Sequence, residues 1–266
     1  MFRLTREVRF AINDEPDDQI GSPPTNSYAG YPSLTGLGYF FSLDVTLAGE
    51  LERRSSYLLN IKQVDEAVRS IGVPLVSRAI HRKEFGGGGK LLVRLFEELR
   101  YCWPDDVHLH DLRLNLSPFL ALTVSATEFP MVRLSQKFEF AASHRLHSPH
   151  LSNEENARTF GKCNNPHGHG HNYELQVTLR GVPHANGVLM DVPAMEHVVA
   201  KNVIDRFDHK NLNVECAEFR DVVPSVENIA KVIYGILEPR FEEQGATLAS
   251  VTVWETPKTW CEYTGD

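Results

Sequence analysis

Three histidines in the second half of the chain have the spacing of a metal site. His169 and His171 flank Gly170 in a stretch that alternates like a β-strand. Residues two apart on a strand point to the same face, so both imidazoles can reach one ion. His144 follows an earlier strand that is expected to pair with this one. Three neutral imidazoles around Zn²⁺ leave a fourth position open, as in catalytic zinc sites. We therefore expect one zinc ion on His144, His169 and His171.

Residues suited to acid–base chemistry accompany this candidate site. Cys163 precedes His169 by six residues and could serve as a fourth ligand, a nucleophile or a base. As a base it must be a thiolate, which needs a cationic or hydrogen-bonding partner. Asp208 and His209 can provide that partner, because a carboxylate orients an imidazole that helps to take up the proton.

An internal repeat indicates which elements position these residues. Residues 168–181 lie 132 positions after residues 36–49, and both stretches begin Gly-X-Gly and end Val-Thr-Leu-X-Gly. In both halves two strands precede two helices and a final strand pair. The order predicts an α+β fold of two tandem modules, each a four-stranded antiparallel sheet with two helices on one face. The periodic pattern breaks near Phe129-Pro130, so we expect modules at 1–130 and 131–266.

The charge, the cysteine content and the apolar segments of the chain limit the class of protein to which it can belong. The 266 residues carry a formal net charge of -8, which argues against a general nucleic-acid binder, since phosphates require a basic face. Four scattered cysteines without a CxxC pair suggest free thiols in a reducing compartment. Since we find neither a secretory signal nor an apolar run of about 20 residues, we expect a cytoplasmic protein without a membrane partner.

The second half resembles the 6-pyruvoyl-tetrahydropterin synthase family over essentially 137–266. Five ordered motifs carry the resemblance: Phe140–Leu146, Gly161–Tyr173, Phe207–Leu212, Val222–Asn228 and Val253–Thr256. The family fold, called the tunnelling fold or T-fold, is the same four-strand, two-helix module that the repeat predicts.

The resemblance implies a substrate and a role for each residue. The substrate would be 7,8-dihydroneopterin triphosphate, and the product 6-pyruvoyl-tetrahydropterin, with elimination of triphosphate. Zinc would act as a Lewis acid, Cys163 as the proton-abstracting base, and His209, oriented by Asp208, as the rest of the relay. Glu255 would anchor the pterin through paired hydrogen bonds. Ser225 matches a substrate-binding position but could equally be a helix cap, and Val226 replaces the neighbouring family threonine.

The first half lacks these residues. Asp14, Leu37 and Tyr39 stand where the second half has its three histidines, and Leu116 replaces Glu255. Tyr31 falls roughly where Cys163 would be. Leucine and tyrosine cannot hold a metal there, so we expect a degenerate first module and one zinc ion per chain. Since family members assemble modules into barrels with sites at module interfaces, the resemblance implies a homo-oligomer, with three tandem chains imitating a six-module assembly.

Other functions are compatible with parts of the pattern. A 6-carboxy-tetrahydropterin synthase, from the queuosine-precursor pathway, would use the same substrate, but the five residues between Cys163 and His169 favour the pyruvoyl type. A non-catalytic pterin-binding scaffold would explain the first half but not the intact residue set of the second. A zinc hydrolase would have little use for Cys163 and Glu255.

Overall fold

The computed structural model describes residues 1–14, 28–84 and 88–265. Over these ranges the chain is a mixed α/β protein with antiparallel strand pairing, except that the two-residue strand β7 runs parallel to β5. The strands are β1 (Phe2–Asn13), β2 (Gly38–Gly49), β3 (Val107–Asn115), β4 (Leu120–Ser125), β5 (Val132–His144), β6 (His169–Gly181), β7 (Lys210–Asn211), β8 (Thr247–Thr256) and β9 (Thr259–Tyr263).

The helices lie mainly between the second and third strands of each half. They are α1 (Ile61–Ala67), α2 (Val73–His81), α3 (Gly89–Leu99), α4 (Asn153–Phe160), α5 (Val192–Val199), α6 (Asp205–Phe207), α7 (Leu212–Glu215) and α8 (Val226–Glu242). Helices were expected to begin near Lys62 and Pro193, and α1 and α5 confirm both starts.

The chain divides into two compact units. One comprises Met1–Leu134 with Gly181–Leu189, and the other comprises Ser135–Arg180 with Met190–Asp266. The sequence placed all of 131–266 in one module, so the grouping of 181–189 with the first unit was not expected. Within that unit, the amide of Gly89 donates to the carbonyl of Gly187 and the Lys90 ammonium donates to Ala185. These contacts tie the segment to the start of α3.

In the first unit the strand order is β1-β2-β3-β4. The alternation of apolar residues along β2 places Leu43, Val45 and Leu47 in the core, as expected for a sheet covered on one face. The apolar stripe of α3 covers that face, with Leu92 and Leu95 fully buried.

In the second unit the order is β5-β6-β8-β9. Leu175, Val177 and Leu179 of β6 are fully buried, which confirms the predicted apolar face of this strand. The 17-residue helix α8 packs against β8 and β9, and its Ile229 and Ile233 are fully buried.

The two units share two local irregularities at matching positions. The pairing of β2 with β3 shifts register between Thr46 and Leu47, and the pairing of β6 with β8 shifts between Thr178 and Leu179, 132 residues later. A five-residue π-helical turn follows α1 at Val68–Gly72, and a second follows α5 at Ala200–Ile204, again 132 residues later. Such turns are rare in helices.

The connection from β5 to β6 contains a helix that the sequence analysis did not include. Ser152 caps α4, its hydroxyl accepting from the amide of Glu155 while the Glu155 carboxylate accepts from the amide of Ser152. This reciprocal pair satisfies two amides at the helix start. Of the helices in the described ranges, none is long and apolar enough to cross a membrane.

Candidate metal centre and active site

Four side chains of the second unit converge on one point. One ligand atom from each of His144, His169, His171 and Glu255 lies within 4.8 Å of the other three. The three histidines proposed from sequence are therefore brought together, and Glu255 joins them. The Nε2 atom of His144 lies 3.1 Å from Nε2 of His169 and 3.1 Å from a carboxylate oxygen of Glu255. The same oxygen lies 3.4 Å from Nε2 of His171.

Strand geometry and one glycine produce this convergence. His144 is the last residue of β5, and His169 and His171 open β6 with both side chains on one face. Gly168 precedes them with a φ of +72°, and a Cβ there would lie 2.9 Å from the carbonyl oxygen of His144. Only glycine tolerates both the left-handed backbone and that approach. The Gly-X-Gly motif thus lets the start of β6 lie close to His144.

The surroundings of His144 fix its tautomer. Its side chain is fully buried, and Nδ1 lies 2.7 Å from the carbonyl oxygen of Pro224. Because a carbonyl oxygen only accepts, Nδ1 carries a proton, and Nε2 is the nitrogen that faces the cluster. The carbonyl of Pro224 is a site component that sequence reasoning missed, since every residue has a carbonyl and no side-chain motif marks this one.

The other two histidines are held neutral by their environment. Burial lowers the pKa of His169 and of His171, and His144 lowers both further, against the opposing effect of Glu255. Within the described residues, Nδ1 of His169 and Nε2 of His171 are buried without a hydrogen-bond partner. Nε2 of His171 faces the cluster, and an imidazole with such an unpartnered nitrogen suits a zinc ion, so the donor set fits this metal.

Glu255 lies among the ring nitrogens instead of facing open solvent. Its hydrogen bond with His144 and the nearby His171 hold the pKa of Glu255 below its usual range, against the effect of partial burial. In the pairing of β8 with β9, Trp254 lies opposite Trp260 and Thr256 opposite Thr259. Glu255 is the extra residue between them, and a bulge of this kind redirects a side chain.

Cys163 lies in a 3₁₀ turn, Gly161–Asn164, that follows α4. Its carbonyl accepts from the amide of Leu146, and the guanidinium of Arg145 donates to both the carbonyl and the side chain of Asn164. These bonds tie the cysteine-bearing turn to the two residues that directly follow His144. The thiol is free and partly exposed.

Asp208 and His209 form a pair at the end of α6. The Asp208 carboxylate accepts from the amide of Ala141 at 2.8 Å and from Nδ1 of His209 at 2.7 Å, and both contacts lower its pKa. His209 has a φ of +57°, a conformation that few non-glycine residues adopt, and its amide donates to the carbonyl of Ala141. Asp208 therefore orients His209, whose ring is largely exposed.

An open cleft of about 690 Å³ brings His209 and His171 to one surface, with Lys210 and Asn172 also in its wall. Within the described residues, no hydrogen bond joins Cys163 to His209.

Ser225 is the N-cap of α8, its hydroxyl accepting from the amide of Asn228 at 3.5 Å.

The corresponding positions of the first unit differ in chemistry and exposure. Leu37 and Tyr39 precede and enter β2 with exposed fractions of 89% and 53%. Asp14 is exposed, while Leu116 and Tyr31 are partly buried. The guanidinium of Arg69 lies over the Tyr31 ring, 5.7 Å from its centre.

Comparison with known proteins identifies the family. A family model described as 6-pyruvoyl tetrahydropterin synthase matches residues 133–266. The chain belongs to the 6-pyruvoyl tetrahydropterin synthase family. Members of this family are enzymes, and the resemblance proposed from the five sequence motifs is confirmed.

Curated relatives align with about half of this chain. The human 6-pyruvoyl tetrahydrobiopterin synthase is 39% identical over 135 residues, covering 50% of this chain and 92% of the human protein. The Drosophila melanogaster protein of the same name is 36% identical over 137 residues, covering 51% of this chain and 81% of its own. A 6-carboxy-5,6,7,8-tetrahydropterin synthase of Haemophilus influenzae is 25% identical over 154 residues, covering 50% of this chain and 99% of its own.

Proposed function

We propose that the second half of this chain converts 7,8-dihydroneopterin triphosphate into 6-pyruvoyl-tetrahydropterin with elimination of triphosphate, in a zinc-dependent reaction. The observation that carries the proposal is the convergence of three imidazoles in a member of this family. His209, paired with Asp208 in a cleft that His171 also lines, supports a proton-transfer enzyme.

His144, His169 and His171 would hold the zinc ion. Bound there, zinc would supply Lewis-acid polarisation of the substrate side-chain hydroxyls, which acidifies the adjacent C–H bond. The hydrogen bond from His144 to the Pro224 carbonyl keeps one ligand in the required orientation, as outer hydrogen bonds commonly do around metals.

Cys163 is the proposed base that removes the proton from the substrate carbon. His209 is the proposed second proton carrier, and its bond to Asp208 holds the ring in one orientation. Because His209 lines the same cleft as His171, a substrate held at the cluster can be reached from the His209 side.

Glu255 and Ser225 are the proposed substrate-binding residues. A carboxylate can accept two hydrogen bonds from the amino and ring N–H groups of a pterin, and the lowered pKa of Glu255 keeps it ionised for that task. The Ser225 hydroxyl accepts a hydrogen bond as a helix cap, which leaves its own proton free to be donated to a ligand.

The alternative within the same chemistry is 6-carboxy-tetrahydropterin formation, as in the queuosine-precursor pathway. It is favoured by similarity to the Haemophilus influenzae protein, whose identity is lower than that of the pyruvoyl relatives. The five residues between Cys163 and His169 favour the pyruvoyl product.

For the first half we propose a degenerate T-fold module, with residues 1–130 and 131–266 as tandem copies. The matching register shifts and matching π-helical turns support it. Its role would be that of a scaffold within a homo-oligomer, with three chains supplying six modules and one zinc ion bound per chain. The mass of the native protein in solution tests this assembly, and a monomeric mass would contradict it.

Product analysis tests the reaction. The zinc-loaded chain is incubated with 7,8-dihydroneopterin triphosphate and the products are identified by mass. Triphosphate with 6-pyruvoyl-tetrahydropterin is the expected result. A carboxy product with acetaldehyde would establish the alternative, and bound but unconverted pterin would indicate a binding protein without this activity.

A further inference from the structure

A separate cavity lies between two helices of the second unit. It has a volume of about 400 Å³ and is found where α8 packs against α5 and the π-helical turn that follows α5. None of its lining residues belongs to the metal cluster or to the cleft that contains His209. Polar side chains from both helices face it: His197, Lys201 and Asn202 on one side, and Arg240, Glu243 and Gln244 on the other. A cavity of this volume can hold a small ligand.

The wall of this cavity carries more positive than negative charge. Lys201 and Arg240 are cationic, and Glu243 is the one carboxylate that the described residues place in the wall. Nη1 of Arg240 lies 3.2 Å from that carboxylate, so this acid already has a partner. Among the described residues, no carboxylate lies within ion-pair distance of Lys201. In a chain whose formal net charge is -8, a concave surface with excess positive charge favours an anion.

The first unit has a carboxylate where this cavity has a histidine. Positions 65 and 69 precede 197 and 201 by 132 residues, the offset that relates the two π-helical turns. In the first unit, Asp65 accepts two hydrogen bonds from Arg6 and lies 3.9 Å from Nη1 of Arg69. In the second unit, His197 stands in place of this acid and Lys201 in place of Arg69. The second π-helical turn therefore has a cation without an internal anion beside it.

The side chains of the cavity suit a phosphate group. A guanidinium matches two phosphate oxygens at once, and an ammonium adds a compact charge. The amide group of Asn202 donates one proton to the carbonyl of Val198, and its second proton is available for a ligand. The side chains of His197 and Gln244 provide further N–H donors.

The end of α8 does not exclude an anion from this cavity. Carbonyls at the C-terminal end of a helix carry partial negative charge and repel anions when they lack partners. Here the carbonyls of residues 239, 241 and 242 accept hydrogen bonds from the amides of residues 243, 244 and 245. Those N–H groups offset part of the charge, as they do at other capped helix ends.

We propose that this cavity binds the phosphate group of a small molecule, either a free phosphate ion or a phosphate monoester, between Lys201 and Arg240. The ligand takes the place beside Lys201 that Asp65 has beside Arg69 in the first unit. The proposal does not depend on the proposed pterin function, because none of these residues has a role in it.

Calorimetric titration of the zinc-loaded full chain with inorganic phosphate at constant ionic strength tests the site. We expect saturable binding, and we expect Lys201→Gln to raise its Kd at least about fivefold, because one charge-assisted contact is lost. The matched control is Lys231→Gln, which removes the same charge from an exposed position earlier on α8 and should bind phosphate like the wild type. Phosphate bound at the zinc ion would not respond to Lys201→Gln.

A second pair of variants tests the comparison with the first unit. His197→Asp introduces the acid found at position 65, which can then pair with Lys201. We expect this variant to bind phosphate more weakly than His197→Asn, which introduces no charge. Titration with glycerol 3-phosphate distinguishes the two ligand sources: tighter binding than that of inorganic phosphate would indicate a monoester, and weaker binding would indicate the free ion.

Two results would overturn the proposal. One is the absence of saturable phosphate binding to the wild type. The other is a set of equal Kd values for the wild type, Lys201→Gln and His197→Asp, with folding intact by circular dichroism, since the phosphate would then be bound elsewhere. Neither result bears on turnover of the pterin substrate, which tests the proposed function separately.

Discussion

The Nδ1 atom of His144 lies 2.7 Å from the carbonyl oxygen of Pro224, the residue before the cap of α8. This contact links the end of β5 to the start of a helix and orients the buried ring. Since Nδ1 is engaged with Pro224, Nε2 is the ring nitrogen that remains to face a metal. The ring of His144, a proposed metal ligand, is therefore held in place by the backbone.

Replacing His144 should remove the metal. We expect His144→Ala to reduce zinc bound after dialysis from about one equivalent per chain to less than a tenth, since the loss of one imidazole leaves an incomplete donor set. The loss is measured as the zinc content of the dialysed protein, determined by elemental mass spectrometry. The control is His147→Ala, whose ring bonds to Asn164; loss of zinc from this variant too would point to general unfolding.

Replacing Cys163 should separate catalysis from metal binding. We expect Cys163→Ala to lower turnover by about 10²–10⁴-fold, the usual contribution of a positioned base, with zinc content unchanged. Cys261→Ala, at a partly exposed thiol on β9, should retain activity. If Cys163→Ala loses its zinc, the thiolate is a metal ligand and its assignment as a base is wrong.

Asp208 should contribute stability that depends on pH in a defined direction. The Ala141 amide and His209 lower the pKa of Asp208 in the folded protein, so the unfolded chain binds its proton more tightly. Ionised Asp208 therefore stabilises the fold above its unfolded pKa of about 3.9, and this stability is lost as the pH falls through the lower folded value.

Urea unfolding of metal-free protein between pH 3 and pH 7 measures the effect. Asp208→Asn should have a lower free energy of unfolding than wild type near neutral pH, and the gap should narrow as the pH falls below about 4. A gap that stays constant across this range would contradict the assignment. Asp221→Asn, at an exposed position, provides the comparison.

Asn156 should be one of the costliest polar residues to remove. It is fully buried, its side-chain oxygen accepts from the amide of Ser148, and its amide group donates to the carbonyls of Ser148, Leu151 and Ser152. We expect Asn156→Ala to lower the free energy of unfolding by about 2–3 kcal/mol, because buried backbone groups lose their partners. Asn186→Ala, at an exposed turn, should change it by less than about 1 kcal/mol.

Regular spacing made much of this site predictable. The two-residue period of a strand placed His169 and His171 on one face of β6, and the repeat located the helices. Helix α4 also had a readable signal, since Ser152 and Glu155 stand three residues apart in the pattern of a capping box. The predicted module of two helices did not include it.

The position of the Glu255 side chain could not be predicted from sequence spacing in the same way. Its side-chain direction depends on one extra residue in the β8–β9 pairing, and the position of a bulge depends on cross-strand packing that no local pattern encodes. The Pro224 acceptor was equally hidden, because only tertiary packing decides which carbonyl meets the His144 ring. Side-chain periodicity predicts which face of a strand a residue occupies. Bulges and backbone acceptors determine how the side chain is finally oriented within the site.

The matching π-helical turns bear on the history of the chain. A turn of this kind arises when one residue is inserted into an α-helix, and it persists only where the surrounding packing tolerates the distortion. Two separate insertions at equivalent places, after Ala67 and after Val199, would be a coincidence. Under the tandem-module proposal, one insertion preceded the duplication of an ancestral gene. On the same proposal, the metal-binding residues were then lost from the first copy, while its inherited helix distortion was retained.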